Sequence, residues 1–212
     1  MDEFVIYSLL GAVVLMLTVR KLSTAVKLLA FQSLVLTILS FTLAIQTNTK
    51  GLYVTGVLTL FIKTLLIPYI LHHTIEKINI KRHLEPFISR QMSLAIAIGL
   101  IIVSYYVTSQ LTLPGSETGM KEYLPASVAI IFLGSFIMIG HRKAIMQGIG
   151  LITIENGLFL LTISMFTGMP LVVELGIMFE MLIMVVIIGI LSFRIHSTFQ
   201  SLSTDHLKRL RG

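Results

Sequence analysis

Seven apolar runs separated by short polar stretches make up most of this chain. They read as Phe4–Val19, Ala25–Gln46, Leu52–Leu71, Gln91–Leu113, Leu124–Gly140, Ala144–Thr167 and Leu171–Phe193. Several exceed the ~18 consecutive apolar residues that indicate a membrane-crossing helix. The apolar residues run on without alternation, whereas a membrane barrel would alternate apolar and polar positions. The pattern predicts an all-α polytopic membrane protein with about seven transmembrane helices. The first run begins after Asp2 and Glu3 and lacks a basic start or a small-residue cleavage pattern. It is therefore expected to be a retained span and not a signal peptide.

The polar stretches set the expected orientation. One set of connections carries Arg20, Lys21, Lys27, the basic residues from Lys77 to Arg90, Arg142, Lys143, Arg194 and the tail. The opposite set carries only Lys50 and Lys121. By the positive-inside rule this predicts an N-terminus outside and a C-terminus in the cytoplasm. The same rule accounts for the formal charge of +6 without a nucleic-acid partner. His72–Arg90 is the longest connection, and its Ile75, Ile78, Leu84, Phe87 and Ile88 suggest that it lies partly along the membrane surface. His72 and His73 are adjacent, so on a helix they point about 100° apart and suit a solvated interface better than a shared metal.

Composition narrows the chemistry. Only 12% of residues are charged and none is cysteine, while mean hydropathy is +0.93. Disulfides, thiolate metal sites and cysteine-bound clusters are excluded. No catalytic triad, phosphate loop or metal cage is evident. Gly148-Ile-Gly150 follows no strand and lies inside an apolar run, so it is not a nucleotide loop. The eleven methionines and twelve phenylalanines read as lipid-facing and packing residues.

A faint repeat crosses the chain. Gln32-Ser33 and Glu155-Asn156 each lie about twelve residues past a basic turn, or roughly 18 Å of helical rise, near a bilayer midplane. Lys63 in the third run and Glu180 in the seventh then fall at equivalent depths. This suggests a parallel three-helix duplication. The expected organisation is a first half over 1–73, a surface linker and fourth span over 74–113, a second half over 114–193, and a basic tail over 194–212. A chance likeness of apolar helices is the alternative.

Against this background a few polar residues stand out. A charge at the bilayer centre costs roughly 2.5–3.5 kcal/mol on insertion scales, so an acid or base there points to ion or proton transfer. Glu155 and Glu180 are the principal candidates, on consecutive antiparallel helices where they could exchange a proton through one or two waters. Glu174 lies roughly 6 Å into its run and reads either as a solvated interfacial group or as an entry point for the same protons. Lys63 reads either as a relay group or as a structural partner for a carboxylate of this or another subunit. Pro68, five residues later, should kink its helix at the carbonyl of Thr64. Gln32, Ser33 and Asn156 are expected to hydrogen-bond between helices.

HRKAIMQGIGLITIENGLFLL and LVVELGIMFEMLIMVVIIGIL resemble the last two spans of the three-span K subunit of respiratory complex I and its relatives in cation/proton antiporters. Over nearly its full length, with FQSLVL, Lys63 before Pro68 and the Glu155-Asn156-Gly157 element, the chain resembles component E of hydrogenase-4. The resemblance implies a non-catalytic, cofactor-free subunit of a proton-translocating membrane-bound nickel–iron hydrogenase or formate-hydrogenlyase-like complex in the cytoplasmic membrane. Its neighbours would be antiporter-like subunits and the membrane subunit that anchors the redox arm. Glu155 and Glu180 would be the relay glutamates. Gln32 replaces an acid in the first half and Lys63 reverses the sign of Glu180, so the halves would differ in role. An antiporter subunit without a redox arm and an assembly scaffold are the competing readings. The basic tail would dock on the cytoplasmic arm or on anionic headgroups.

Overall fold

The computed structural model describes residues 2–77, 87–110, 123–165, 176 and 179–190. The described residues form helices, with isolated bridge residues at Lys21 and His141, one in each of two basic turns. The helices are α1 (Asp2–Thr18), α2 (Leu22–Thr47), α3 (Lys50–Leu58), a π-helix (Thr59–Leu66), α4 (Ile67–Lys77), α5 (Arg90–Ser109), α6 (Tyr123–Gly140) and α7 (Ala144–Met165). A further apolar helix, α8, covers Phe179–Ile190. The α3, π and α4 segments follow one another without a break and act as one rod. Counting that rod once, five helices are long and apolar enough to cross a membrane, and α1 and α8 are shorter.

Polarity is arranged as a bilayer requires. Phe61, Ile102, Tyr106 and Ile139 are all at least 60% exposed. An apolar exterior of this kind would be a liability in water. Inside, the packing includes Ser33, Ser40, Thr55, Ser104, Ser127 and Thr153, all buried. Small residues let helices approach where lipid tails supply no hydrophobic contrast. Their hydroxyls mostly donate to carbonyls of their own helix, as Thr37 does to Ser33 at 2.9 Å and Thr153 to Ile149 at 2.8 Å. Ser40 instead crosses to the Leu52 carbonyl at 2.8 Å and ties α2 to α3. Asn48 ends α2 at φ 52°, a left-handed conformation that asparagine tolerates better than most residues.

The α6–α7 pair is the tightest crossing. A Cβ added to Gly134 would stand 2.9 Å from the Gly150 carbonyl, and one added to Gly157 would stand 3.0 Å from that of Ser127. Small residues seven apart on each helix therefore bring the two backbones together. Gly148 has another neighbour, Ile188 of α8. α1 also packs on α6, and α2 on α7.

The observed bounds differ from the expected ones mainly at the third run. Its helix continues through His72 and His73 to Lys77, so the connection begins later than 74. His72 and Glu76 lie four apart on that helix and pair at 3.3 Å, while His73 stacks on Tyr69. Both histidines are exposed.

Candidate functional site

Three consecutive residues of α7 point to three different helices. Successive side chains on a helix are about 100° apart, and the Glu155-Asn156-Gly157 element uses this directly. Gly157 faces the backbone of α6 at Ser127 and Ile131. Asn156 faces α2, its Nδ2 donating to Gln32 Oε1 at 3.4 Å. Glu155 faces the π-helix, with Oε1 2.6 Å from Lys63 Nζ. The ammonium also donates to Asn156 Oδ1 at 3.5 Å and lies 5.8 Å from the centre of the Phe159 ring. Phe159 is one turn beyond Glu155 on the same face of α7.

Lys63 owes its position to the widened helix. The Ile67 N–H donates to the carbonyl of Ile62, five residues back, and Thr64 Oγ1 donates to Thr59 O at 3.3 Å over the same spacing. Pro68 has no N–H to donate, and its ring crowds the carbonyl of Thr64. The expected local disturbance takes the form of a π-helix over the two turns before the proline. Within it Thr59 and Lys63 are buried, whereas Phe61, Leu65 and Leu66 are exposed.

The pair is enclosed. Side-chain exposure is 2% for Lys63 and 9% for Glu155. At an effective dielectric of ~20, unit charges this close attract by about 6 kcal/mol, and withdrawal from water costs several kcal/mol per ion. Such a pair contributes little net stability, yet leaving either member alone is expensive. Glu155 Oε2, Gln32 Nε2, Ser33 Oγ and Thr59 Oγ1 are buried without a protein hydrogen-bond partner. These four atoms belong to the pair's residues, to their hydrogen-bonded neighbours, or to positions one residue or one helical turn away. The polar capacity of the interior thus exceeds what the ion pair consumes, and the excess is concentrated around it.

The structure joins Lys63, Glu155, Asn156 and Gln32 into one network across the π-helix, α7 and α2. It separates Glu180 from them. Glu180 was expected as a second enclosed acid beside Glu155, but its side chain is exposed. The reason is the facing of α8. Met181 and Val185 are its buried residues, Ile188 packs on Gly148 of α7, and Gly189 abuts Thr74 of α4. Glu180, one position from Met181, is turned outward. Its level is nonetheless that of the pair. Counting eight residues back from Ile188 and eight forward from Gly148 gives about 12 Å of rise on each helix, which sets Glu180 opposite Asn156. The charged partner that Glu155 meets within the described residues is Lys63. Glu174 lies outside the described residues, as does the basic tail.

Thr59, Phe159 and the glycine seam were not anticipated as parts of the site. The seven-residue spacing of Gly150 and Gly157 is visible in the sequence, and so is Thr59 four residues before Lys63. Nothing in either indicates which helix they face. At the basic end of the bundle, a cavity of about 290 Å³ lies between the α1–α2 turn and the start of α5, with Arg20 and Arg90 in its lining. It contains none of the network's residues. Beside it the Phe87 N–H donates to the Gly140 carbonyl at 3.1 Å, and the Arg142 guanidinium sits 4.3 Å over the Phe87 ring. His141 is buried there, and its Nδ1 donates to Ile137 O at 2.9 Å. Desolvation holds this imidazole below the ordinary histidine range, partly opposed by that hydrogen bond.

Comparison with known proteins adds one relative. The chain is 28% identical over 211 residues to Rv0085 of Mycobacterium tuberculosis, a protein described as uncharacterized, and the match covers 99% of this chain and 95% of the relative. No family model matches, and no solved structure matches.

Proposed function

We propose that this chain is a non-catalytic membrane subunit of a proton-translocating redox complex of the membrane-bound hydrogenase type, and that Glu155 and Lys63 form its relay centre. In this reading the seven apolar helices all span the bilayer, with the N-terminus outside and the C-terminus in the cytoplasm. The observation that carries it is the enclosed Lys63–Glu155 pair, with its surplus of unpartnered polar atoms, inside a bundle whose exterior is apolar. Ionisable groups are expensive in such surroundings and mark ion or proton paths. Glu180, at the same level but on the outer face, is the step that hands the proton to a neighbouring subunit. The test is proton translocation by the assembled complex carrying Glu155→Gln. Loss of transport with assembly intact is expected, and full coupled transport would overturn the proposal.

A structural role is the second reading, and the same pair favours it. A contact of 2.6 Å between oppositely charged groups is what a scaffold would use to fix the register of α7 against the π-helix. In that case Glu155→Gln reduces assembly before it reduces transport. A sodium-linked antiporter subunit would use the same residues. Co-purification with or without a redox arm separates that possibility from the first.

A further inference from the structure

The outer face of α8 presents Phe179, Glu180, Ile183, Val186, Ile187 and Ile190, all exposed. All but one suit acyl chains. Glu180 does not, and the register of α8 on α7 sets it level with the buried network and far from either end of the bundle. A solitary carboxylate against lipid hydrocarbon has no hydrogen-bond donor. The helix could have turned this position inward by packing through neighbouring residues, yet Met181 and Val185 occupy the inner face.

We infer that this face of α8 is the docking surface for a membrane-spanning helix of a different protein, and that this helix carries a lysine or arginine midway along its span opposite Glu180. Charge complementarity selects the occupant. The described residues of a second copy of this chain offer no free cation at this level. Among the described residues, Lys63 is the basic side chain at this level, and it is buried and engaged with Glu155. The remaining described basic residues lie at or near helix ends and turns. The apolar residues one and two turns from Glu180 would pack around the ion pair and exclude lipid, as surrounding contacts do at an interface centre. The inference rests on the chain lying in a bilayer. It does not require that Glu155 carry protons.

The test places a photo-crosslinking amino acid at Ile183 or Ile187 in the full-length chain within host membranes, with adducts mapped by mass spectrometry. One membrane protein is expected, with the adduct within about two helical turns, or ~11 Å, of a lysine or arginine in its span. Glu180→Arg should lower recovery of that protein with this chain by about tenfold or more. Changing the mapped cation to glutamate in the Glu180→Arg background should restore recovery to within about twofold. If arginine blocks insertion, Glu180→Gln removes the charge at constant shape and should also lower recovery. Adducts to a second copy or to lipid alone overturn the proposal. So does a partner without a cation near the adduct, or undiminished recovery with Glu180→Gln. Transport by the Glu155→Gln complex is a separate readout, so failure here and failure of the relay are distinguishable.

Discussion

Lys63→Met tests the buried pair most directly. The substitution keeps an unbranched apolar side chain of similar length and removes the ammonium that holds Glu155 Oε1. Because Glu155 Oε2 already lacks a protein partner, both carboxylate oxygens are then unpaired. Breaking a buried pair in this way costs about 3–5 kcal/mol. Replacing both members with apolar residues of similar volume removes the stranded charge, and the Lys63→Met/Glu155→Met variant should return to within about 1 kcal/mol of the parent. Glu155→Met strands the ammonium at a similar cost, so the expected coupling is about 5 kcal/mol or more, well above the ~0.6 kcal/mol average of ordinary interhelical hydrogen bonds in membranes. A double-mutant cycle on thermal unfolding in detergent measures it, with assembly and proton transport followed on the same four proteins. A coupling below about 0.5 kcal/mol would show that the pair is not energetically formed. If stability and assembly return in the double variant while transport stays lost, the pair is a relay. If transport returns as well, the scaffold reading replaces it.

Four further outcomes rest on other parts of the fold. Gly134→Ala must separate α6 from the Gly150 carbonyl and should lower the stability measured by thermal unfolding by about 1–3 kcal/mol. Gly99→Ala, with open space around it, should be neutral or slightly stabilising. His141 is held below its ordinary value by burial, so the folded state binds fewer protons than the unfolded one. Its contribution to stability is complete above the ordinary histidine range and declines as pH falls below it. The difference in thermal stability between about pH 8 and about pH 5 should shrink in His141→Gln. Asn48→Val forces a β-branched residue to φ 52° and should cost about 1–2 kcal/mol in the same assay, whereas Asn48→Gly should not.

Much of the fold was legible because helices in an apolar medium must satisfy their own backbone. Among the described residues, continuous runs and basic turns marked α1, α2, α6 and the start of α7 to within a few residues, and α6, read as Leu124–Gly140, begins at Tyr123. The rod from α3 to α4 was harder. Ile75 and the histidine pair suggested a surface segment, but the helix continues through them to Lys77. Charge content hides that continuation, since a helix leaving an apolar layer keeps its backbone hydrogen bonds while its side chains become polar. Pro68 identified a disturbed turn, although the sequence did not show that it would widen the helix and turn Lys63 inward.

The polar residues themselves were evident because charge is rare in this chain and each instance carries a cost. Local spacing could show that Glu155, Lys63, Gln32 and Asn156 fall near one level, since helical rise converts residue number into depth. It could not pair Lys63 with Glu155, 92 positions away. That pairing depends on the direction of α7, set by the Gly134, Gly150 and Gly157 seam against α6, and on the extra turn width before Pro68. Nor could spacing distinguish Glu180 from Glu155, because both are single acids in apolar helices. Only the packing of Met181, Val185 and Ile188 decided that one acid is enclosed with a lysine and the other faces outward. The sequence by itself determined which residues cannot rest in lipid alone. The tertiary structure decided which of them found a partner within the chain, because rotation about a helix axis is set by contacts between helices and not by the period of any one of them.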